Sequence, residues 1–280
     1  LNHRLRGAES DRDEELVRSA SCVLELALHI ERADPSQLTA PGRDGLEAAA
    51  RQARYAFLRS TAESVGARYV TTAHTADDQA ETILHRIARG TGLAGLAGMP
   101  RARPLGDAAT LIRPLLGIRR REVLDYLRSH GTPFRHDASN HDLTRTRNVI
   151  RHQVLPQLEA SVHPQATDSL LRLGRLAAEA EVVLGQLVSQ LFDRCIVRQS
   201  DGSVVIDAGQ LEETPPYLIR ELLIALWRTE AWPRQAMGFE QWDRLAALLT
   251  QPEQAGPRHR LPGKIEVVRQ DRRWVVRRVE

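Results

Sequence analysis

An apolar, β-branched run that leads directly into an acidic helix start restricts the fold of this chain more than any other feature. Residues 69–73 are Tyr-Val-Thr-Thr-Ala, and His74-Thr-Ala-Asp-Asp-Gln-Ala-Glu81 follows. At about 100° per residue, a helix over the second stretch has two distinct faces. One face carries Asp78, Glu81, Thr82 and His85, and the other carries Ala80, Ile83, Leu84 and Ile87. The pattern predicts a strand followed by a helix whose apolar face packs on a sheet.

The acidic face of this helix would lie beyond the carboxyl end of the strand, which is where ligands bind in open α/β sheets. Carboxylates in that position suit a cation, a metal–nucleotide or an amine substrate. We assign Asp77 to Mg²⁺, which usually takes one or two protein carboxylates together with phosphate oxygens. The alternative is a well-capped surface helix with solvated carboxylates. The clustering of Asp77, Asp78 and Glu81 close to His74 favours a binding site.

The composition is that of an ordinary globular chain that can bury a core. Hydrophobic residues make up 42% and charged residues 27% of the 280 residues, a length that predicts two domains. The sequence shows neither a membrane-spanning run nor a signal-peptide pattern. Cys22 and Cys195 form no CxxC pair, which argues against a zinc or iron–sulfur site and favours a reducing cytoplasm.

The charge of the chain weakly favours an anionic partner, because the formal net charge is +3. Arginine supplies nearly all of the basic charge, since Lys264 is the only lysine. Genomic base composition explains this bias as well as phosphate contact does, although arginine binds phosphate bidentately. The composition alone therefore leaves the partner open.

The first 155 residues alternate between predicted helices, strands and glycine-containing turns, which is typical of a parallel α/β sheet. Helices should cover about 11–29, with Ser10 or Asp11 as N-cap, and 45–65, 76–89 and 119–130; strands should cover 68–73 and 111–116. The glycine-rich segment 90–100 should be loop. It matches neither a Walker nor a GxGxxG pattern, so it carries no phosphate assignment.

The alternation ends at about residue 156, and we predict a second, mostly helical domain over 156–280. Its helices should cover 165–197, 215–229 and 239–250, with Leu173, Leu176, Val183 and Leu187 among the apolar positions of the first. A hairpin around Gln270 and Asp271 should follow.

Two basic groups accompany the acidic helix. Arg51 and Arg54 lie about one turn apart on the preceding helix, where ion pairing with Glu47 is the alternative to a functional role. The second group comprises Arg145, Arg147, Asn148, Arg151 and His152. Cationic side chains at a helix start oppose the helix dipole, so a bound polyanion is one interpretation and a solvated basic surface is the other.

Several motifs together resemble those of tRNA(Ile)-lysidine synthetases. Asn2-His3-Arg4-Leu5-Arg6-Gly7 with Glu9-Ser10-Asp11 is similar to the NHxLRG-x-ESD element of that family. The other matching motifs are 47–55 (EAAARQARY), 73–82 (AHTADDQAET), 89–93 with 98–100, 113–116 (RPLL), 137–140 (DASN) and 147–152 (RNVIRH). The matches extend from residue 1 to about 160, and the rest of the chain resembles the helical domain of the family more weakly.

The resemblance implies a Rossmann-like domain of the PP-loop ATP-pyrophosphatase type that uses ATP and Mg²⁺. Such enzymes activate C2 of the wobble cytidine in the isoleucine tRNA with a CAU anticodon by adenylation, with release of pyrophosphate. The amine of L-lysine then displaces AMP. By the same resemblance His74, Asp78 and Arg54 act in catalysis, with Arg54 stabilising charge on phosphate. Glu81 and Asp78 would bind lysine.

The resemblance also implies where the other substrates lie. His3, His74 and Asp77 would be at the nucleotide. The basic group from Arg145 to His152 would contact the tRNA backbone, since phosphate contacts position an RNA without specifying its sequence. The wobble base would be turned out of its stack to expose C2. No membrane association is expected, and homodimer formation is left open.

One family element has no counterpart in the printed sequence. The SGGxDS phosphate loop, which lies on the first strand just before the NHxLRG element, is not found, so we expect a sheet without that strand. A chain start upstream of Leu1 and a non-catalytic tRNA-binding protein are both compatible with this pattern. A third alternative is another PP-loop enzyme, such as a tRNA thiolase, which would use cysteines that this chain does not place in pairs.

Overall fold

The structure is a computed structural model that describes residues 1–4, 7–34, 43–135, 142–235, 237–250 and 256–279, with the backbone alone at 43, 44, 46 and 47. Its α-helices are α1 (Ala8–Val23), α2 (Arg43–Val65), α3 (Ala76–Ala88), α4 (Leu93–Leu96), α5 (Arg120–Ser129), α6 (Thr146–Val149), α7 (Leu155–Ser161), α8 (Ala166–Cys195), α9 (Pro216–Thr229) and α10 (Phe239–Thr250). Its strands are β1 (Tyr69–Thr71), β2 (Ala102–Leu105), β3 (Ala109–Ile112), β4 (Ile196–Arg198), β5 (Val204–Asp207), β6 (Arg258–Leu261), β7 (Ile265–Gln270) and β8 (Arg273–Arg278). The motif residues 136–141 lie outside the described part of the chain.

The described chain divides into two compact units, Leu1–Ala178 and Glu179–Glu280. This division falls inside α8, downstream of the domain boundary near residue 155 that the sequence pattern predicts. Compact units reflect which residues lie close together, whereas the predicted boundary marks a change in the sequence pattern. The boundary near residue 155 therefore stays a prediction.

The first unit contains a small mixed sheet in the order β1-β3-β2. Strands β1 and β3 run parallel, with Tyr69 opposite Thr110, whereas β2 pairs with β3 in the antiparallel sense. The buried side chains Ala62, Leu105, Ala109 and Leu111 form the core between α2 and this sheet. The expected α/β class with parallel strands is confirmed, and the carboxyl ends of β1 and β3 lie at the same edge.

The acidic helix α3 is fixed by its apolar face, as its sequence pattern predicts. Ala80 and Ile83 are fully buried, and burial of an isoleucine side chain contributes about 2–3 kcal/mol. Gly174 of α8 allows a close approach here, because a Cβ at that position would lie 2.5 Å from Ile83 Cδ1. This packing holds the start of α3 at the carboxyl end of β1.

Three local predictions in the first unit are wrong. Helix α1 begins after Gly7, with no side-chain cap from Ser10 or Asp11, and ends at Val23 because Glu25 adopts a left-handed backbone with φ 53°. The strand expected at 111–116 is β3, which ends before a 3₁₀ turn at Pro114–Gly117. The segment 90–100, expected to be loop, contains the one-turn helix α4.

The second unit is built around a five-stranded antiparallel sheet in the order β4-β5-β8-β7-β6. The predicted hairpin is confirmed as β7–β8, with Gln270 opposite Arg273. Helices α9 and α10 pack on the core, which includes Trp227 and Trp274. The pattern did not reveal the three further strands, which are short and gain their stability from cross-strand neighbours.

Helix α8 matches the long helix predicted at 165–197, but four of the apolar positions that define its pattern are exposed: Leu173, Leu176, Val183 and Leu187. Apolar periodicity therefore located the helix without identifying its buried face. Among the described residues, no helix is long and apolar enough to cross a membrane.

Candidate functional site

Helix α3 begins at the carboxyl end of β1 with a capping box that follows from local sequence. The Thr75 side chain accepts the Asp78 N–H, and Asp78 Oδ2 accepts the Thr75 N–H at 2.8 Å. His74 lies directly before this cap, and its Nδ1 is 2.9 Å from Thr72 Oγ1. The cap fixes the direction of Asp78, so that its other oxygen, Oδ1, remains available to partners from elsewhere in the chain.

Four charged side chains form a carboxylate–guanidinium cluster of Asp78, Glu81, Arg147 and Arg151. Arg147 donates from Nε to Glu81 Oε2 and from Nη2 to Asp78 Oδ1, both at 2.8 Å. Arg151 donates from Nε to Glu81 Oε1 at 2.5 Å and from Nη2 to Asp78 Oδ1 at 3.1 Å. Each arginine therefore bridges both carboxylates, which is the arrangement that a planar guanidinium favours.

The cluster is largely buried, so its ion pairs are only weakly screened by solvent. The Glu81 side chain is 1% exposed, whereas Arg147 is 34% exposed and Arg151 19%. Burial alone would raise the pKa of Asp78, but the Thr75 N–H and the charges of Arg147 and Arg151 outweigh it and lower this pKa. Burial would lower the pKa of Arg151, and the hydrogen bond and charge of Glu81 raise it instead. Asp78 and Arg151 are consequently held in their charged forms.

The two arginines reach α3 from an irregular helical segment. Arg147 belongs to α6, and Arg151 to a π-helical turn over Ile150–Val154 that leads into α7. Pro156 follows immediately and has no N–H to continue the α-helical hydrogen-bond pattern. Such π turns are frequent at functional sites.

His74 is kept neutral by its surroundings. Burial lowers its pKa, and the charges of Arg113, Arg147 and Arg51 lower it as well, while Asp78 acts in the opposite direction. The net effect places the pKa of His74 below 6.5. A neutral imidazole beside this charged cluster can exchange hydrogen bonds without adding charge.

The basic group of Arg145 to His152 does not form one outward surface. Arg147 and Arg151 face the carboxylates of α3, so these carboxylates, rather than a bound polyanion, offset the repulsion expected at the helix start. Buried Asn148 donates to the Asp142 carbonyl at 2.9 Å. Arg145 and His152 are exposed, and Arg145 Nε lies 3.6 Å from Asp142 Oδ2. The tRNA-binding assignment of this group stays a prediction.

Asp77 does not fit a magnesium ligand. Its Oδ2 accepts the Arg120 N–H at 2.6 Å at the start of α5, and its Oδ1 lies 3.8 Å from Arg119 Nη1. The described residues also contain no group of three or more His, Cys, Asp or Glu side chains that could hold a metal ion. The carboxylate is thus used to cap α5.

The remaining predicted residues, His3 and Arg54, lie close to one another. Burial lowers the pKa of His3, and the charge of Arg54 lowers it further. Neither ring nitrogen of His3 has a hydrogen-bond partner among the described residues, although both are buried. The structure thus groups His3 with Arg54, and His74 with Asp78, Glu81, Arg147 and Arg151.

Sequence reasoning missed two residues that organise the wall beside α3. The Gln79 amide donates to the carbonyls of Ala97 and Met99 and accepts the Met99 N–H at 2.7 Å. Arg86 Nη1 donates to the carbonyls of Gly95 and Gly98. These contacts hold the glycine-rich segment in place. Its glycines signal close packing, which the sequence alone did not distinguish from flexibility.

Comparison with known proteins agrees with this fold. Residues 1–158 match a family model described as a PP-loop domain. The chain is 36% identical over 269 residues to the tRNA(Ile)-lysidine synthase of Geobacter sulfurreducens, a match that covers 96% of this chain and 56% of the relative. It is 38% identical over 272 residues to that of Rhodopirellula baltica, covering 89% and 67%. For the enzyme of Salinispora arenicola the identity is 37% over 233 residues, covering 83% and 68%.

The match of this α/β unit, with its parallel strands β1 and β3, to the family model thus defines a PP-loop protein. Within that class, the chain belongs to the tRNA(Ile)-lysidine synthase family. The chain spans between 56% and 68% of the length of these curated relatives.

Proposed function

We propose that this chain contributes to lysidine formation in the isoleucine tRNA with a CAU anticodon. In this reaction ATP adenylates the O2 atom of the wobble cytidine with release of pyrophosphate. The amine of L-lysine then attacks C2, the C2–O bond breaks, and AMP leaves. One observation carries the proposal: in a PP-loop chain, the carboxylates of Asp78 and Glu81 lie together beyond the carboxyl end of β1 and already hold cationic side chains.

The two carboxylates support an amine substrate through their charge. Asp78 and Glu81 each bind two guanidinium groups, and their two negative charges are balanced by Arg147 and Arg151. An ammonium group carries the same charge as a guanidinium and can take its place as a donor. Because Arg147 is the more exposed of the two arginines, we propose that lysine binds on its side and displaces it from Asp78.

His74 and Arg54 are the other residues to which we assign catalytic roles. A neutral His74 next to Asp78 can orient or deprotonate the attacking amine, because its pKa lies below its ordinary value. Arg54 would stabilise negative charge on the phosphate. The unpartnered, buried ring of His3 beside Arg54 fits a hydrogen bond to the nucleotide. We derive no step through Mg²⁺, because Asp77 caps α5.

We further propose that Arg145 and His152, the exposed members of the basic group, contact the tRNA backbone, with Arg147, Asn148 and Arg151 beside them in the sequence. The reaction would take place in the cytoplasm, and the proposal holds for a monomer or a homodimer.

The direct test incubates the protein with ATP, labelled L-lysine and a transcript of the isoleucine tRNA, and measures lysine in the tRNA. We expect ATP-dependent incorporation that Asp78→Asn abolishes, while tRNA affinity stays within about tenfold. Asp125→Asn, which removes an exposed carboxylate of α5, serves as the matched control. Near-normal incorporation by Asp78→Asn would refute the assignment. Binding of tRNA without incorporation, both by these 280 residues and by a reading frame extended upstream, would favour a non-catalytic protein.

A further inference from the structure

A second cluster of arginines surrounds Tyr55, on the side of α2 that faces the β2–β3 hairpin. The guanidinium carbon of Arg51 lies 5.1 Å from the centre of the Tyr55 ring, and that of Arg103 lies 4.7 Å from it. Arg113 follows β3, and its charge acts on the Tyr55 hydroxyl group. We call Arg51, Tyr55, Arg103 and Arg113 the Tyr55 cluster. Its members come from three separate segments of the chain.

Arg113 is the buried member of this cluster. Its residue is 3% exposed, and its Nη1 donates to the Pro100 carbonyl at 2.7 Å. Its buried Nε has no hydrogen-bond partner among the described residues. An unmet donor on a buried cation is costly, so the site as described is incomplete without a further acceptor.

The positive charge of the Tyr55 cluster extends to its neighbours. Burial lowers the pKa of Arg86, and the charge of Arg51 lowers it further. In addition to burial, the charges of Arg113 and Arg51 lower the pKa of His74. Among the side chains that the structure describes, no carboxylate forms an ion pair with Arg51, Arg103 or Arg113. The Glu47 side chain is outside that set. Like charges this close repel one another unless an anion lies between them.

The Tyr55 hydroxyl group reports the same excess of positive charge. Burial would raise the pKa of Tyr55, but the charge of Arg51 and hydrogen bonds with Arg103 and Arg113 lower it. An uncharged packing contact would leave burial to dominate and would raise this pKa.

We propose that the Tyr55 cluster is a binding site for a phosphate group, and that its occupant is a phosphodiester of the RNA substrate next to the target base. Arginine binds phosphate bidentately, and three guanidinium groups supply the donors that one phosphate accepts. The site lies at the carboxyl end of β3, the edge at which His74 follows β1, and Arg51 opens it to solvent. The choice of RNA as the occupant rests on the proposed function. The inference that the site binds a phosphate group does not depend on that function. A nucleoside triphosphate is the other source of a phosphate group.

The experiment compares Arg51→Gln and Arg103→Gln with Arg59→Gln, which removes an exposed arginine two turns further along α2. Three ligands are titrated into the whole protein: inorganic phosphate, ATP, and an RNA hairpin with the sequence of the anticodon arm, the last over a series of salt concentrations. For each cluster variant we expect the slope of log K against log salt for RNA to fall by about one unit, with about tenfold weaker binding near 0.1 M salt. We expect ATP affinity to be unchanged.

The outcomes separate the two proposals. RNA and phosphate affinities equal to those of Arg59→Gln in both cluster variants would overturn the site and leave the proposed function intact. Loss of ATP affinity with an unchanged RNA slope would overturn the RNA occupant in favour of the triphosphate. A wild-type protein that binds no RNA but binds phosphate through Arg51 and Arg103 would refute the proposed function and support the phosphate site.

Discussion

Arg151 Nε donates to Glu81 Oε1 at 2.5 Å, so a cation 70 residues away in the sequence covers the most deeply buried carboxylate of α3. Removal of one member of a buried pair leaves an uncompensated charge. We expect Arg151→Ala to lower the free energy of unfolding by about 3 kcal/mol, at the lower end of the usual range because Arg147 still pairs with Glu81.

Urea unfolding measures this change, with Arg145→Ala as the control. Arg145 is exposed and belongs to the same basic group, so its removal should change stability by no more than about 0.5 kcal/mol. Equal stability of the two variants would show that the cluster is not held together by the pair with Glu81.

The pKa of His74 offers a second test of the cluster. Because Asp78 is the group that raises this pKa, Asp78→Asn should lower it further below 6.5, as measured by NMR titration. Asp125→Asn should leave it unchanged. The folded protein binds fewer protons here than the unfolded chain, so the contribution of His74 to stability is complete above pH 6.5 and is lost as the pH falls through 6.5 toward the folded pKa. An upward shift in Asp78→Asn would contradict the arrangement.

Gly98 tests how firmly the glycine-rich segment is held. It has φ +69°, and a Cβ would lie 2.6 Å from Gln79 Nε2. Gly98→Ala should therefore lower stability by about 1–2 kcal/mol from backbone strain and further by disrupting the Gln79 contacts. Gly90→Ala is the matched control, since Gly90 has φ +74° with nothing within 4 Å of its Cβ position. If Gly98→Ala and Gly90→Ala lost equal stability on thermal unfolding, Gln79 would have moved away from the new Cβ without a cost in stability.

Glu14 predicts an acid-dependent loss of stability in the first unit. Its side chain is 5% exposed and accepts hydrogen bonds from Asn2, Arg18 and Arg32, which tie α1 to the chain segments on either side. The hydrogen bonds with Arg32, Asn2 and Arg18 lower its pKa from 4.5 to about 2. Its stabilising contribution is therefore complete above pH 4.5 and is lost as the pH falls through about 2.

Urea midpoints of wild type and Glu14→Gln across this pH window test the assignment. The advantage of the wild type should be largest above pH 4.5 and should shrink toward pH 2. Glu15→Gln, which changes the exposed neighbouring carboxylate, should follow the wild type throughout. If the urea midpoints of wild type and Glu14→Gln changed in parallel with pH, the Glu14 carboxylate would not be the cause of the acid-dependent loss of stability.

Local sequence was sufficient for the elements whose stabilising contacts are local. The strand–helix step at 69–88, the two helices α9 and α10 and the β7–β8 hairpin were all predictable from periodicity and turn signals. The cap of α1 and the extent of β3 were not, because Gly7 and Pro114 act through backbone geometry that competes with propensity. Strands β4, β5 and β6 are similarly defined by their partners in the sheet.

The sequence by itself determined that α3 has an acidic face and that its motifs resemble those of one family. Only the tertiary structure decided that this face is covered, since Arg147 and Arg151 reach it across 66 and 70 residues of chain. Residues three or four apart meet wherever a helix forms, whereas ion pairs at such separations depend on the packing of whole elements. The same reason kept the Tyr55 cluster out of reach of sequence patterns, because its arginines meet only when α2 packs on the hairpin.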